Sequence, residues 1–196
     1  MAWAKLGTKT FTSAGTSITT DTFTASNFMQ IINHTFANSG VPENGLRFNS
    51  DPTTKYAVRY SSNGGTDATI VNDPYLELNL AAFSTTSFQI VYICSISGQE
   101  KLAIAFHIRQ NTAGAGTAPD REEIVGKYVP SPDANITTVT LYNVNSGNFA
   151  IDSNISVLGS DATISNSIQN GLEFHETDTN KDYVFNSSNS TWYQIV

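Results

Sequence analysis

Chemistry in this sequence would have to come from three histidines, one cysteine and seventeen carboxylates. His34, His107 and His175 lie on three separate segments, with none of the local spacings through which zinc sites are usually built. Glu122 and Glu123 are adjacent. On a strand they face opposite ways, so they cannot act as a catalytic pair and read as a rim charge and its neighbour. The run Glu176-Thr177-Asp178-Thr179-Asn180-Lys181-Asp182 alternates oxygen ligands as calcium loops do, yet Lys181 sits among them and the glycine for a sharp turn is missing. It reads as a solvated hairpin turn. There is no G-x-S-x-G elbow, Walker loop or dinucleotide fingerprint; Gly114-Ala115-Gly116 lacks both the third glycine and a following helix. Cys94 shares a face with Phe88, Ile90, Tyr92 and Ile96 and reads as a small buried hydrophobe. These residues predict no catalysis and no cofactor. Tyr56, Tyr60, Tyr75, Trp192 and Tyr193 could stack on a sugar, although aromatic residues on strands mostly serve a core or an interface.

The elements that would position such residues are strands. Over residues 100–129, Leu102, Ile104, Phe106 and Ile108 alternate with Ala103, Ala105, His107 and Arg109, a period of two that predicts a strand with the four large apolar side chains buried. Residues 88–96 repeat the pattern, and Ser97-Gly98-Gln99-Glu100 is short enough to join the two as an antiparallel hairpin. Further strands are predicted at 3–11, 17–24, 46–48, 56–60, 75–80, 123–129, 137–144 and 155–158. Residues 28–36 fit a strand or a helix by spacing, and Asn33, His34, Thr35 and Phe36, poor helix formers, favour the strand. Residues 61–67 form a loop whose Asn63-Gly64 pair could close a hairpin, and Ser146-Gly147-Asn148 reads as a turn.

About ten short strands with regular turn signals predict an all-β, two-sheet β-sandwich, and a jelly roll specifically. Residues 1–159 make that domain, 160–170 a polar linker, and 171–196 a small aromatic β-meander built around Phe174, Tyr183, Phe185, Trp192 and Tyr193. Two or three strands are too few to stand alone, so this end should dock on a neighbour or on another copy.

The chain of 196 residues carries a net charge of -7, with ten dispersed Lys and Arg. No basic stripe exists to follow a phosphate backbone, which argues against nucleic acid as a partner. A single cysteine excludes the disulfide-stapled class. No apolar run reaches the length of a membrane span, and the N-terminal residues lack the pattern of a signal peptide, so cytoplasmic synthesis is expected.

Two stretches carry a resemblance. The run from Gln110 to Tyr128, QNTAGAGTAPDREEIVGKY, with residues 3–17 and the segment Tyr56-x-x-Arg59-Tyr60-Ser61-x-Asn63-Gly64-Gly65, resembles virion structural proteins of tailed phages and related viruses of aquatic microbes. The C-terminal Phe174-x-Glu176-Thr177-Asp178-Thr179-x-Lys181-x-Tyr183, with Trp192, is similar to a small module at the ends of such proteins. The resemblance implies a non-enzymatic virion role on the particle surface after synthesis in the host cytoplasm. Its partners would be other copies of the chain, as a trimer through the aromatic end, and the major capsid or tail proteins. Absence of a fibrous or heptad stalk favours a capsid (head) decoration protein; a tail-fibre or receptor-binding module for a cell-surface glycan is the alternative. Arg109 and Arg121, at the ends of the 111–120 loop, together with Tyr60, Trp192 and Tyr193, are the candidate subunit or ligand contacts.

Overall fold

The computed structural model describes residues 3–78, 82–110, 112–130, 134–160, 171, 173–176, 179, 181–186, 188 and 191–195. The predicted linker therefore lies almost wholly outside the described residues, as do Thr177, Asp178 and Asn180 of the acidic run. Contacts divide the chain into two compact units, Met1–Asp161 and Ala162–Val196.

The first unit contains β1 (Ala4–Thr10), β2 (Ser17–Thr19), β3 (Phe28–Val41), β4 (Asn44–Phe48), β5 (Tyr56–Ser62), β6 (Ala68–Asp73), β7 (Leu76–Glu77), β8 (Thr86–Cys94), β9 (Lys101–Gln110), β10 (Asp120–Tyr128), β11 (Val139–Asn143), β12 (Ser146–Phe149) and β13 (Asn154–Ser160). The fold is all-β, as the alternating pattern predicts. One sheet runs β1-β13-β3-β8-β9-β10-β5-β6, with β12 also pairing β3, and the other runs β2-β11-β4-β7. Within the first, the block β1-β13-β3-β8 opposite β2-β11-β4-β7 interleaves early and late strands, which is the jelly-roll order. Two inserted hairpins then widen that sheet. β5–β6 lies between β4 and β7 in sequence, β9–β10 between β8 and β11, and both add to the β8 side.

Local chemistry sets these hairpins. Asn63 and Gly64 both have positive φ, and the Gly65 amide donates to the Ser62 carbonyl at 2.9 Å, as the predicted Asn-Gly turn requires. The Asn63 side chain also binds the head of β10, accepting from the Arg121 amide and donating to Asp120. The β8–β9 connection closes the predicted antiparallel hairpin, with Ile90 opposite Phe106. Residues 28–36 are strand, within a longer β3.

The core lies between the sheets, with Met29, Ile31, Val91 and Ile93 of the wide sheet packed among Leu46, Phe48, Leu76, Val139 and Leu141 of the narrow one. Tyr56, Tyr128 and Phe48 stack at one end, where the Phe48 amide donates to the Tyr56 oxygen and the Tyr128 hydroxyl donates to Asp51. Two elements differ from the sequence reading. Residues 68–73 form β6, a strand with weak alternation that edge pairing with β5 selects. Ser146-Gly147-Asn148 is no turn but the start of β12, which reaches Gly147 in the left-handed region opposite Gly40.

The second unit is a three-stranded meander: β14 (Glu173–Glu176), β15 (Lys181–Asn186) and β16 (Thr191–Ile195).

Candidate functional site

β9 supplies the decisive geometry, and it reverses the sequence reading. Its inward row is Lys101, Ala103, Ala105, His107 and Arg109; its outward row is Leu102, Ile104, Phe106 and Ile108, between 47% and 56% exposed. β8 is inverted in the same way, with Ser87, Gln89, Val91 and Ile93 inside and Phe88 and Tyr92 outside. Cys94 belongs to the outward, half-buried row rather than to the core. Alternation fixes the period of a strand but not which phase faces in. Here the phase is decided by partners: Ser87, His107 and Arg109 find matches on neighbouring strands, and Lys101 and Gln89 donate to the carbonyls of Ile96 and Leu78.

The matches form one buried network. The Ser87 hydroxyl lies 2.8 Å from His107 Nε2, His107 Nδ1 lies 3.2 Å from Glu122 Oε2, and Arg109 Nη1 donates to Glu122 Oε1 at 3.0 Å. Arg109 Nε donates to Asp120 at 3.1 Å. From the narrow sheet, Asn44 donates to Ser87 and to Thr35, each at 3.1 Å. Glu122, read from sequence as a rim charge, is thus fully buried, while Glu123 faces solvent on the other side of β10. With Nδ1–H directed at the carboxylate, Nε2 is left to accept from Ser87, the tautomer this network assigns.

A serine, a histidine and a carboxylate in hydrogen-bonded sequence are the parts of a nucleophilic triad. Sequence reasoning missed them because all three occupy polar phases that read as solvated. Their setting encloses them. Ser87, His107 and Glu122 are each 1% exposed, the Ser87 oxygen already accepts from Asn44, and Glu122 is also committed to Arg109. Ser87 lines a hollow of about 510 Å³ together with His34, Phe88 and Ile108, while its hydroxyl lies 2.8 Å from His107 Nε2. The arrangement acts as a cross-strand clamp.

A second polar group surrounds β7. Burial, together with the nearby charges of Asp73, Glu43 and Glu122, pushes the Glu77 carboxyl up to about 7. Burial likewise raises Glu43, an effect the Asn145 hydrogen bond opposes. Asp51 goes the other way: burial would raise it, but hydrogen bonds from Thr53, Tyr128 and Lys55 hold it down to about 2. Among the described residues no three His, Cys, Asp or Glu side chains are grouped to hold a metal ion.

The outer face is continuous across strands. Ile104 aligns with Tyr92 on β8 and Val125 on β10; Phe106 aligns with Ile90; Ile108 aligns with Phe88; Leu102 aligns with Cys94. Beside this apolar field β3 and β13 contribute Gln30, His34, Ser156 and Asn154. On the other flank stand three ion pairs: Arg59–Asp67, Arg121–Glu123 and Lys127–Glu100.

Of the sequence-predicted contacts, Arg109 is buried in the clamp and presents no surface, whereas Arg121 is exposed at the rim beside Glu123. Tyr60 packs partly against the core. Tyr56 is core, and Tyr75 is stacked on Tyr142 with the Arg47 guanidinium over both rings, which commits both Tyr56 and Tyr75 to contacts within the domain. In the C-terminal unit Trp192 contacts Phe174 and Phe185, Tyr193 is exposed, and Phe174, Glu176, Tyr183 and Trp192 line a hollow of about 380 Å³. No helix among the described residues is long and apolar enough to cross a membrane, a statement that does not bear on β-barrels.

No protein-family model matches the chain, and no curated protein matches it. Among solved structures it is similar to a bifunctional GH43-CE protein of Bacteroides eggerthii at 11% identity and a TM-score of 0.33, over 94% of this chain and 26% of that one. The chain therefore spans about a quarter of that protein's length, and a likeness at this level carries no functional argument.

Proposed function

We propose that this chain is a non-enzymatic structural subunit of a virion, carried on the particle exterior as a head-decoration protein. The observation that carries the reading is the outward row of β9 with its neighbours on β8 and β10, a broad apolar face that a solitary soluble domain does not keep in water. An assembly would cover it. The resemblance of residues 110–128 and of the C-terminal module to virion proteins supplies the kind of assembly. Jelly rolls are frequent in capsid proteins and also in lectins, so the fold agrees with the reading without selecting it. The closed clamp around Ser87 supports a structural role over a hydrolytic one. The test is mass spectrometry of gradient-purified particles of the encoding virus. The chain should be present in many copies; its absence from washed particles would refute the proposal.

One observation favours a second reading, a glycan-binding module at the tail or the particle surface. The hollow of the C-terminal unit sets three aromatic rings beside the carboxylate of Glu176, which suits a sugar's apolar face and its hydroxyls. Binding on a glycan array that Trp192→Ala abolishes would support it; an empty array would remove it.

A further inference from the structure

We infer that the outward face of β8, β9, β10, β5 and β6 is the seat of a second copy of this chain. The inference deepens the structural-subunit reading, yet it concerns the isolated protein and can fail independently of it.

Size is the first argument. Phe88, Tyr92, Leu102, Ile104, Phe106, Ile108, Val125 and Val71 are all between 40% and 66% exposed. Taking full-size side chains at roughly 150–250 Å², they leave on the order of 800 Å² of apolar surface in solvent. The largest patch of an ordinary monomer is about 300–600 Å². One partner's share of a standard interface is about 800 Å².

Charge selects the partner. The chain as a whole is at -7, a field that keeps two copies apart. On this face the charge is balanced: each of the rim cations Arg59, Arg121 and Lys127 is paired with a carboxylate. A second acidic copy meets no repulsive field here, whereas a strongly charged partner of either sign finds no complement.

Relief completes the match. Leu102 and Ile104 of β9 stand beside the shorter Val125 of β10 and Ala57 of β5, leaving a hollow of about 490 Å³ with Arg59 and Lys127 at its edge. One surface therefore carries both ridge and recess, as a contact between identical faces requires. Two sheets packed face to face at the usual spacing of about 10 Å would interdigitate these rows as a sandwich core does.

Sedimentation velocity on the full chain, from low micromolar concentration upward, tests this. The unsubstituted chain should sediment as an assembly of more than one copy. Ile104→Lys and Phe106→Lys, at positions that are solvent-facing in the single chain, should weaken that assembly about 100-fold or more, because each places an unpaired charge at its centre. Thr10→Lys, on the polar β1 edge, should leave it intact. A measurement free of variants guards against misfolding: the thermal midpoint of the unsubstituted chain should rise with concentration, as mass action requires. A monomer with a concentration-independent midpoint would overturn the inference, and so would an assembly untouched by both lysines. A monomeric chain that is still present on particles would leave the virion reading standing and assign the face to a different virion protein.

Discussion

Arg109 holds Asp120 with one nitrogen and Glu122 with another, and Glu122 spends its second oxygen on His107. Removing the shared carboxylate leaves buried donors without their acceptor, so Glu122→Leu should cost about 3–5 kcal/mol in urea unfolding. Ser87→Ala removes a single neutral hydrogen-bonding group and should cost about 1–2 kcal/mol. Because the Ser87 hydroxyl is enclosed, unsubstituted chain and Ser87→Ala should release nitrophenol from nitrophenyl acetate equally slowly; a rate lost with the hydroxyl would restore the triad as a catalyst. Two carboxylates should give opposite pH signatures. Asp51, near 2 in the folded chain against 3.8 unfolded, contributes stability that is complete above about 3.8 and is lost as pH falls toward 2. Asp51→Asn should therefore destabilise by about 1–2 kcal/mol at neutral pH and have little effect near pH 2. Glu77, near 7 against 4.5, carries a cost that is absent below 4.5 and complete above 7. Glu77→Gln should stabilise the fold at pH 8 by about 1–2 kcal/mol after allowance for partial exposure, read as a higher thermal midpoint, and have little effect near pH 4.

At the scale of elements, β12 depends on a single residue. Gly147 has φ of 88°, and a Cβ there would run into the Ser39 carbonyl. Gly147→Ala should destabilise by about 2 kcal/mol or more and raise hydrogen exchange at the β3–β12 end before the rest of the sheet opens. The same element shows where sequence reasoning stops. Ser-Gly-Asn carries turn chemistry, and only the register against residues 37–41 of β3 makes it a strand. β8 and β9 show the other limit. Their period and hairpin were legible, because local alternation and a short connection determine them. Their phase was not. Both rows of β9 look buriable, and the choice rests on Glu122, Ser87 and Asn44, which lie 15, 20 and 63 positions away in sequence. A row of large apolar side chains reads as core in any single sequence, whether the core is the chain's own or one it shares with a partner.

For the molecule as a whole, the inserted hairpins explain why a jelly roll should have a face to bury. The strands β1-β13-β3-β8 and β2-β11-β4-β7 make the two facing sheets; β9–β10 and β5–β6 extend one of them, add Tyr56, Val58, Ile124 and Tyr128 to the core, and carry much of the apolar field outside. The extension is apolar outside, carries the buried clamp among core residues inside, and is charge-balanced at its rim, which supports the proposed role in joining units. On the proposed virion role, protein of the particle covers that field. Cryo-electron microscopy of intact virions, at a resolution that separates strands, measures this directly. The prediction is a jelly-roll density on the particle exterior with Leu102, Ile104, Phe106 and Ile108 buried against protein. Particles on which that row faces bulk solvent, or which lack the density altogether, would contradict it.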